Sequence, residues 1–192
     1  MAAEAERRSA VAEATVVSAR HAAVRRPRRW WPAALVVVLA LVLARAFLAE
    51  PFRIESQSML PTLRAGDRVL VDKRAYRDAL PRRGDLVAFH APRTGEVTLK
   101  RAIGLPGDTV AIEDGVLVVN GRRQSESYAD PDAIDSVYFG PAAVRAGAVF
   151  VLGDNRADST DSRDFGPVEQ RDLIGRASVR IWPPARWGEP NH

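Results

Sequence analysis

From Trp30 to Ala49 the chain runs for twenty positions with a single charge, Arg45. As a helix this segment would be about 30 Å long, the thickness of a bilayer's hydrocarbon core. Its apolar residues surround the whole circumference, which argues against a soluble helix packed by one face. The pattern predicts a single transmembrane helix over 30–49, with Trp30 and Trp31 at one interface and Arg45 snorkelling to the other. A cleavable signal is the competing reading, because Ala44-Arg45-Ala46 offers small residues at the two positions a cleavage site needs. Against it stand a long basic arm of 29 residues and an arginine inside the site. On either reading residues 51–192 lie outside the cytoplasm.

Charge supports the same polarity. Residues 1–29 hold seven arginines against Glu4, Glu6 and Glu13, and basic and acidic residues balance in the remainder. The positive excess is confined to an arm that reads as disordered and cytoplasmic. The exported part has no electrostatic footprint for nucleic acid. It has no cysteine either, so packing and not disulfides must hold it.

Beyond residue 50 the sequence consists of short alternating or apolar runs punctuated by glycine and proline, the pattern of an all-β domain. Strands are expected at Phe52–Ser56, Arg68–Asp72, Asp85–His90, Val97–Ile103, Thr109–Ile112, Val116–Val119, Val149–Leu152 and Leu173–Trp182. Asp114-Gly115 and Asn120-Gly121 signal tight turns. Residues 122–147 read as a loop-rich excursion, and Arg74–Ala79 as a short helical turn. The expected organisation is an arm (1–29), an anchor (30–49), an extracytoplasmic β-domain (50–182) with a small hairpin and loop excursion at 109–147, and a tail (183–192).

Three polar clusters could carry chemistry: 55–63, 100–108 and 153–166. A serine nucleophile needs a base, and histidine supplies few candidates. His21 lies on the arm, His192 is the last residue, and His90 sits at a strand end. Thiol chemistry is excluded by the absence of cysteine, and no H-E-x-x-H spacing points to a metal. Asp158, Thr160, Ser162 and Glu169 fit some positions of a calcium loop, but Arg163 stands where its glycine should be. The stretch otherwise reads as a self-neutralising loop of ion pairs.

Lysine is scarce. Arginine provides 26 of the 28 basic residues, and only Lys73 and Lys100 are lysine. A buried ammonium can lose its proton and act as a base, whereas guanidinium cannot. Composition alone does not say which of the two lysines has that role.

Four motifs in order decide it: S-x-S-M-x-P-T at 56–62, G-D-x-V-x-V-x-K at 66–73, K-R-x-x-G-x-P-G-D at 100–108, and G-D-N-x-x-x-S-x-D-S-R-x-x-G at 153–166. With them the chain resembles bacterial type I signal peptidases over about residues 50–182. The resemblance implies a signal-peptidase-like catalytic β-domain of coiled antiparallel sheets, a serine endopeptidase that removes signal peptides from exported preproteins, and no metal or organic cofactor. It implies Ser58 as nucleophile, Lys100 as general base, Ser56 with the Ser58 N–H as oxyanion hole, and Ser159 as the group orienting the base. Asp161 and Arg163 match a supporting ion pair. Phe52, Ile54, Leu63 and Leu99 fall where the family builds shallow pockets for small P1 and P3 residues. The implied partners are signal peptides, the lipid bilayer of the cell membrane and the translocation machinery, with no nucleic acid. Lys73 reads as structural.

Two rivals remain in view. A self-cleaving repressor of the same Ser/Lys fold would need a DNA-binding helical domain, and no such pattern is present. A membrane-anchored binding domain without activity would leave Ser58 and Lys100 without a reason for their contexts.

Overall fold

The structure is a computed structural model that describes residues 30–129 and 138–190, without the side chains of 43–47. Helix α1 (Trp31–Leu48) covers most of the expected span. Its side chains from Trp31 to Val42 are apolar and exposed. Among the described residues no helix is long and apolar enough to cross a membrane. The arm 1–29 and the Arg45 side chain, with its expected snorkelling, lie outside the described residues.

After α1 the chain is almost entirely β. Among the described residues one sheet has seven strands: β1 (Ala49–Arg53), β2 (Arg68–Asp72), β3 (Leu86–His90), β4 (Val97–Gly104), β9 (Ala148–Leu152), β10 (Val168–Glu169) and β11 (Leu173–Trp182). Their order across the sheet is β1-β2-β11-β3-β4-β9-β10, with antiparallel neighbours. The last long strand, β11, therefore lies between β2 and β3.

The strands explain themselves by burial. β2 alternates, with Val69 and Val71 buried, whereas β9 is buried at every position, as a strand covered on both faces must be. β1 begins at Ala49, directly after α1, and not at Phe52 as the alternation suggested; it is an edge strand, where Pro51 costs no ladder bond.

A second sheet of four strands joins β5 (Thr109–Glu113), β6 (Val116–Val119), β7 (Arg122–Arg123) and β8 (Tyr138–Ala143) in the order β7-β6-β5-β8. Asp114 and Gly115, then Asn120 and Gly121, all have positive φ, which gives the tight hairpin turns their sequence signals. β8 corrects the expectation of loop over 122–147. Gly140-Pro141 lies within β8, which is the outer strand beside β5 and tolerates proline. The 74–79 segment forms turns without a helix.

Two apolar clusters pack on the large sheet, one around Ile54, Met59, Leu63, Leu86 and Leu99 and one around Val87, Phe89 and Val151. A third, around Ile103, Val110, Leu117, Phe150 and Leu152, ties the small sheet to it. Residues 183–190 fold back along β11, with Gly188 bridged to Arg180 and Arg186 donating to Asp67.

Candidate active site

Ser58 stands in the loop from β1 to β2. Ile54 opens that loop by exchanging backbone bonds with Asp67 and Gly66, at 2.9 and 2.8 Å. Leu60 N–H then donates to Gln57 O at 3.0 Å and Leu63 N–H to Met59 O at 2.8 Å, which winds 57–63 into tight turns. Met59 and Leu63 are buried beneath the loop and anchor it to the core. The Ser58 hydroxyl is thus carried on a fixed backbone, and its own N–H takes no partner among the described residues.

Lys100 comes from β4, opposite Val87 of β3. Only 3% of it is exposed, and its Nζ donates to Ser58 Oγ at 2.5 Å. Ser56 Oγ lies 3.0 Å from the same Ser58 oxygen. Burial lowers the Lys100 pKa to about 8. The largest opposing influence is Asp161, but that carboxylate is engaged by Arg163 Nε at 2.9 Å. Among the described residues the lysine pairs with no carboxylate and sits beside a hydroxyl.

The third polar cluster, 153–166, locks the other two together. Gly153 N–H donates to Asp161 Oδ2 at 3.0 Å, and Ser159 Oγ donates to the same oxygen at 2.9 Å. Asp161 also caps the short helix α2 (Ser162–Phe165) in a reciprocal box with Asp164. Arg163 reaches back to Arg156 O and Ser159 O. Asn155 N–H donates to Ser58 O at 3.1 Å and its side-chain amide to Gln57 O at 3.3 Å, so this loop holds the Ser58 backbone directly. Beside Lys100, Arg101 forms a buried fork with Asp154, at 2.8 and 2.7 Å, and Thr62 Oγ1 donates to Asp154 at 2.5 Å. Gly153, Asp154, Asn155, Thr62 and Arg101 were not singled out as site residues by sequence reasoning, although all lie within its motifs. Their place inside the motifs, next to residues already marked, was the signal available.

A cleft of about 660 Å³ adjoins Ser56 and runs between 52–56 and 97–99. Phe52, Ile54 and Leu99 line it, together with Met59, Thr98, Thr160 and Phe165. Leu63 does not line it: this residue is fully buried below the loop, because the turn from Met59 directs it into the core. His90 is exposed and bonds the Gly95 carbonyl within its own hairpin. Lys73 is also peripheral, donating to Glu50 at 3.2 Å across the β1–β2 edge. Among the described residues no group of histidine and carboxylate side chains is arranged to hold a metal.

A serine hydroxyl against a buried amine, on an antiparallel β scaffold, belongs to the serine peptidases. Comparison narrows the class: the family model for signal peptidase, peptidase S26, matches residues 27–182, and the chain belongs to that family. It is 45% identical over 165 residues to signal peptidase I of Leptolyngbya laminosa, covering 81% of this chain and 79% of that protein. Signal peptidase I of Bacillus caldolyticus is 38% identical over 172 residues, 83% of this chain and 92% of the relative. For signal peptidase I of Mycobacterium tuberculosis (strain CDC 1551 / Oshkosh) the identity is 34% over 215 residues, with 81% and 73% covered.

Proposed function

We propose that the protein is a membrane-anchored serine endopeptidase that removes N-terminal signal peptides from exported preproteins with a Ser58–Lys100 dyad. The observation that carries this reading is the 2.5 Å contact between Ser58 Oγ and a lysine whose pKa burial has brought to about 8. Neutral Lys100 takes the Ser58 proton as Oγ attacks the scissile carbonyl, and the resulting ammonium returns a proton to the leaving amine. Water then attacks the acyl-enzyme with the same lysine as base and frees Ser58. The Ser58 N–H and the Ser56 hydroxyl are the donors for the oxyanion.

Ser159 orients the base: its proton goes to Asp161, which leaves its lone pairs for the Lys100 ammonium. Asp161 and Arg163 hold Ser159 without touching substrate. The shallow apolar lining of Phe52, Ile54 and Leu99 suits small residues at P1 and P3, an Ala-X-Ala type of site, and Leu63 supports the floor from below. The apolar α1 anchors the chain in the cell membrane with its N-terminus cytoplasmic and residues 50–182 extracytoplasmic. Ser58 is nine positions beyond Ala49, so the scissile bond is cut close to the membrane surface where a tethered signal peptide emerges. The bilayer and the machinery that delivers the preprotein are the partners this function implies.

The test is cleavage of an exported preprotein by the full chain in membranes. Ser58→Ala and Lys100→Met each abolish it while the protein stays folded; full activity in either variant sinks the dyad. Lys100→Arg is the sharper substitution, since it keeps the charge and removes the basicity.

A further inference from the structure

The segment that follows β7 belongs to no motif, yet two of its side chains seat on the cations behind the dyad. Tyr128 lays its ring over the Arg101 guanidinium, 4.0 Å from ring centroid to Cζ, close enough for a cation–π contact in a water-poor setting. Its hydroxyl donates to Glu126 Oε1 at 2.7 Å, and burial, reinforced by that carboxylate, pushes the phenol upward so that it keeps its proton. The same Glu126 oxygen accepts from Arg156 at 2.5 Å. Both ends of this ion pair are about nine-tenths buried. Glu126 and Tyr128 therefore act as one unit that caps two arginines at once.

Each arginine leads directly to the reacting groups. Arg101 follows Lys100 in β4 and forks onto Asp154, while its remaining donors reach Gly84 O at 2.9 Å and Thr62 Oγ1 at 3.4 Å. It thereby joins the base strand, the nucleophile loop and the 153–155 loop. Arg156 donates from Nε to Gly153 O at 2.9 Å, on the residue that packs against Ser159 and the Ser58 carbonyl. We propose that Glu126 and Tyr128 are positioning residues for the reaction: by covering Arg101 and fixing Arg156 they keep the Asp154 loop seated on Ser58 and beside Lys100. In this way the small sheet completes the catalytic machinery of the large one. The proposal rests on the Ser58–Lys100 reading.

The experiment compares Tyr128→Leu, Tyr128→Phe and Glu126→Gln with the unaltered full chain in membranes, using an internally quenched peptide with an Ala-X-Ala cleavage site, from pH 6 to pH 10. Loss of the ring loosens Arg101 and the 153–163 loop it forks onto, so the groups of that loop that act on Lys100 withdraw, the lysine is better solvated and its pKa moves back toward its ordinary value. In Tyr128→Leu, kcat falls roughly ten-fold with KM little changed, and the rising limb of the kcat profile moves to higher pH by about half a unit or more. Tyr128→Phe keeps the stacking ring and restores most of the rate and the position of the limb. Glu126→Gln lowers kcat in the same direction. A Tyr128→Leu enzyme with an unshifted limb, whether its rate is normal or falls only with the amount of folded protein, overturns the positioning role. Activity in Ser58→Ala, run alongside, overturns the dyad itself and is distinguishable from any Tyr128 result.

Discussion

Gly153 and Ser159 meet with no room for a side chain between them: a Cβ on Gly153 would stand 2.2 Å from Ser159 Oγ and 2.6 Å from the Ser58 carbonyl oxygen. The second of those atoms is backbone and cannot swing aside. Gly153→Ala must therefore push the 153–163 loop away from the loop that carries Ser58. A displacement of about 1 Å costs on the order of 10²-fold in rate. Cleavage assays on Gly153→Ala should show at least that loss in kcat, with circular dichroism still reporting a folded β-domain. Retention of normal turnover would mean the contact is irrelevant to chemistry.

Activity should rise with pH through the Lys100 pKa. In the proposed dyad the amine has to be neutral to accept the Ser58 proton, and burial places its titration near pH 8. The kcat/KM profile of the free enzyme is expected to climb across pH 7 to 9 and level above it. A profile already flat from neutral pH would contradict a titration there.

The same burial makes Lys100 a burden on the fold. The unfolded amine keeps its proton up to 10.5, whereas the folded one sheds it near 8, so the unfolded chain binds more protons between these values. Native stability therefore rises with pH across that window, and below about 8 the full penalty is present. At about 1.4 kcal/mol per pH unit this amounts to roughly 3 kcal/mol at neutral pH. Lys100→Met should accordingly unfold at higher denaturant than the unaltered enzyme at pH 7, with the advantage vanishing toward pH 10.

Asp154 has the opposite character. It neutralises Arg101 in a fork where both side chains are at most 3% exposed. Asp154→Ala leaves that guanidinium buried and unpaired, which costs about 3–5 kcal/mol. Equilibrium unfolding in urea measures the loss, and a change below about 1 kcal/mol would show that Arg101 finds water or another partner.

Leu63→Ala separates core from cleft. A wholly buried leucine that does not line the groove should cost about 2–5 kcal/mol on truncation and leave the P1 preference of the surviving enzyme unaltered. A widened P1 preference, read from a panel of cleavage-site peptides, would return Leu63 to the pocket wall.

The strands that face the core were legible because alternation and apolar runs report burial directly; Arg68–Asp72, Val116–Val119 and Leu173–Trp182 have the bounds their patterns suggest. β8 and β10 were not, since an outer strand containing Gly140-Pro141 and a two-residue strand bury too little to leave a pattern. At the site, the motifs marked Ser56, Ser58 and Lys100, which contact one another, and Ser159, Asp161 and Arg163, which bond among themselves. The direction of side chains inside a motif was harder to read. Leu63 turned inward because of a backbone bond between Leu63 and Met59, and nothing in residue type announces such a bond. Tyr128 and Glu126 were invisible for a different reason: their partners are reached only after the small sheet has folded against the large one.

The position of β11 between β2 and β3 has a consequence for how the enzyme comes into being. The loop carrying Ser58 hangs from β1 and β2, and Lys100 rides on β4 beside β3, so the strand that joins these halves follows both of them in the sequence. A chain that has emerged only as far as residue 172 carries both Ser58 and Lys100 but lacks the central strand that joins their supports. The two halves therefore close on each other only once β11 is inserted, so the site is assembled by a strand that follows it in the sequence.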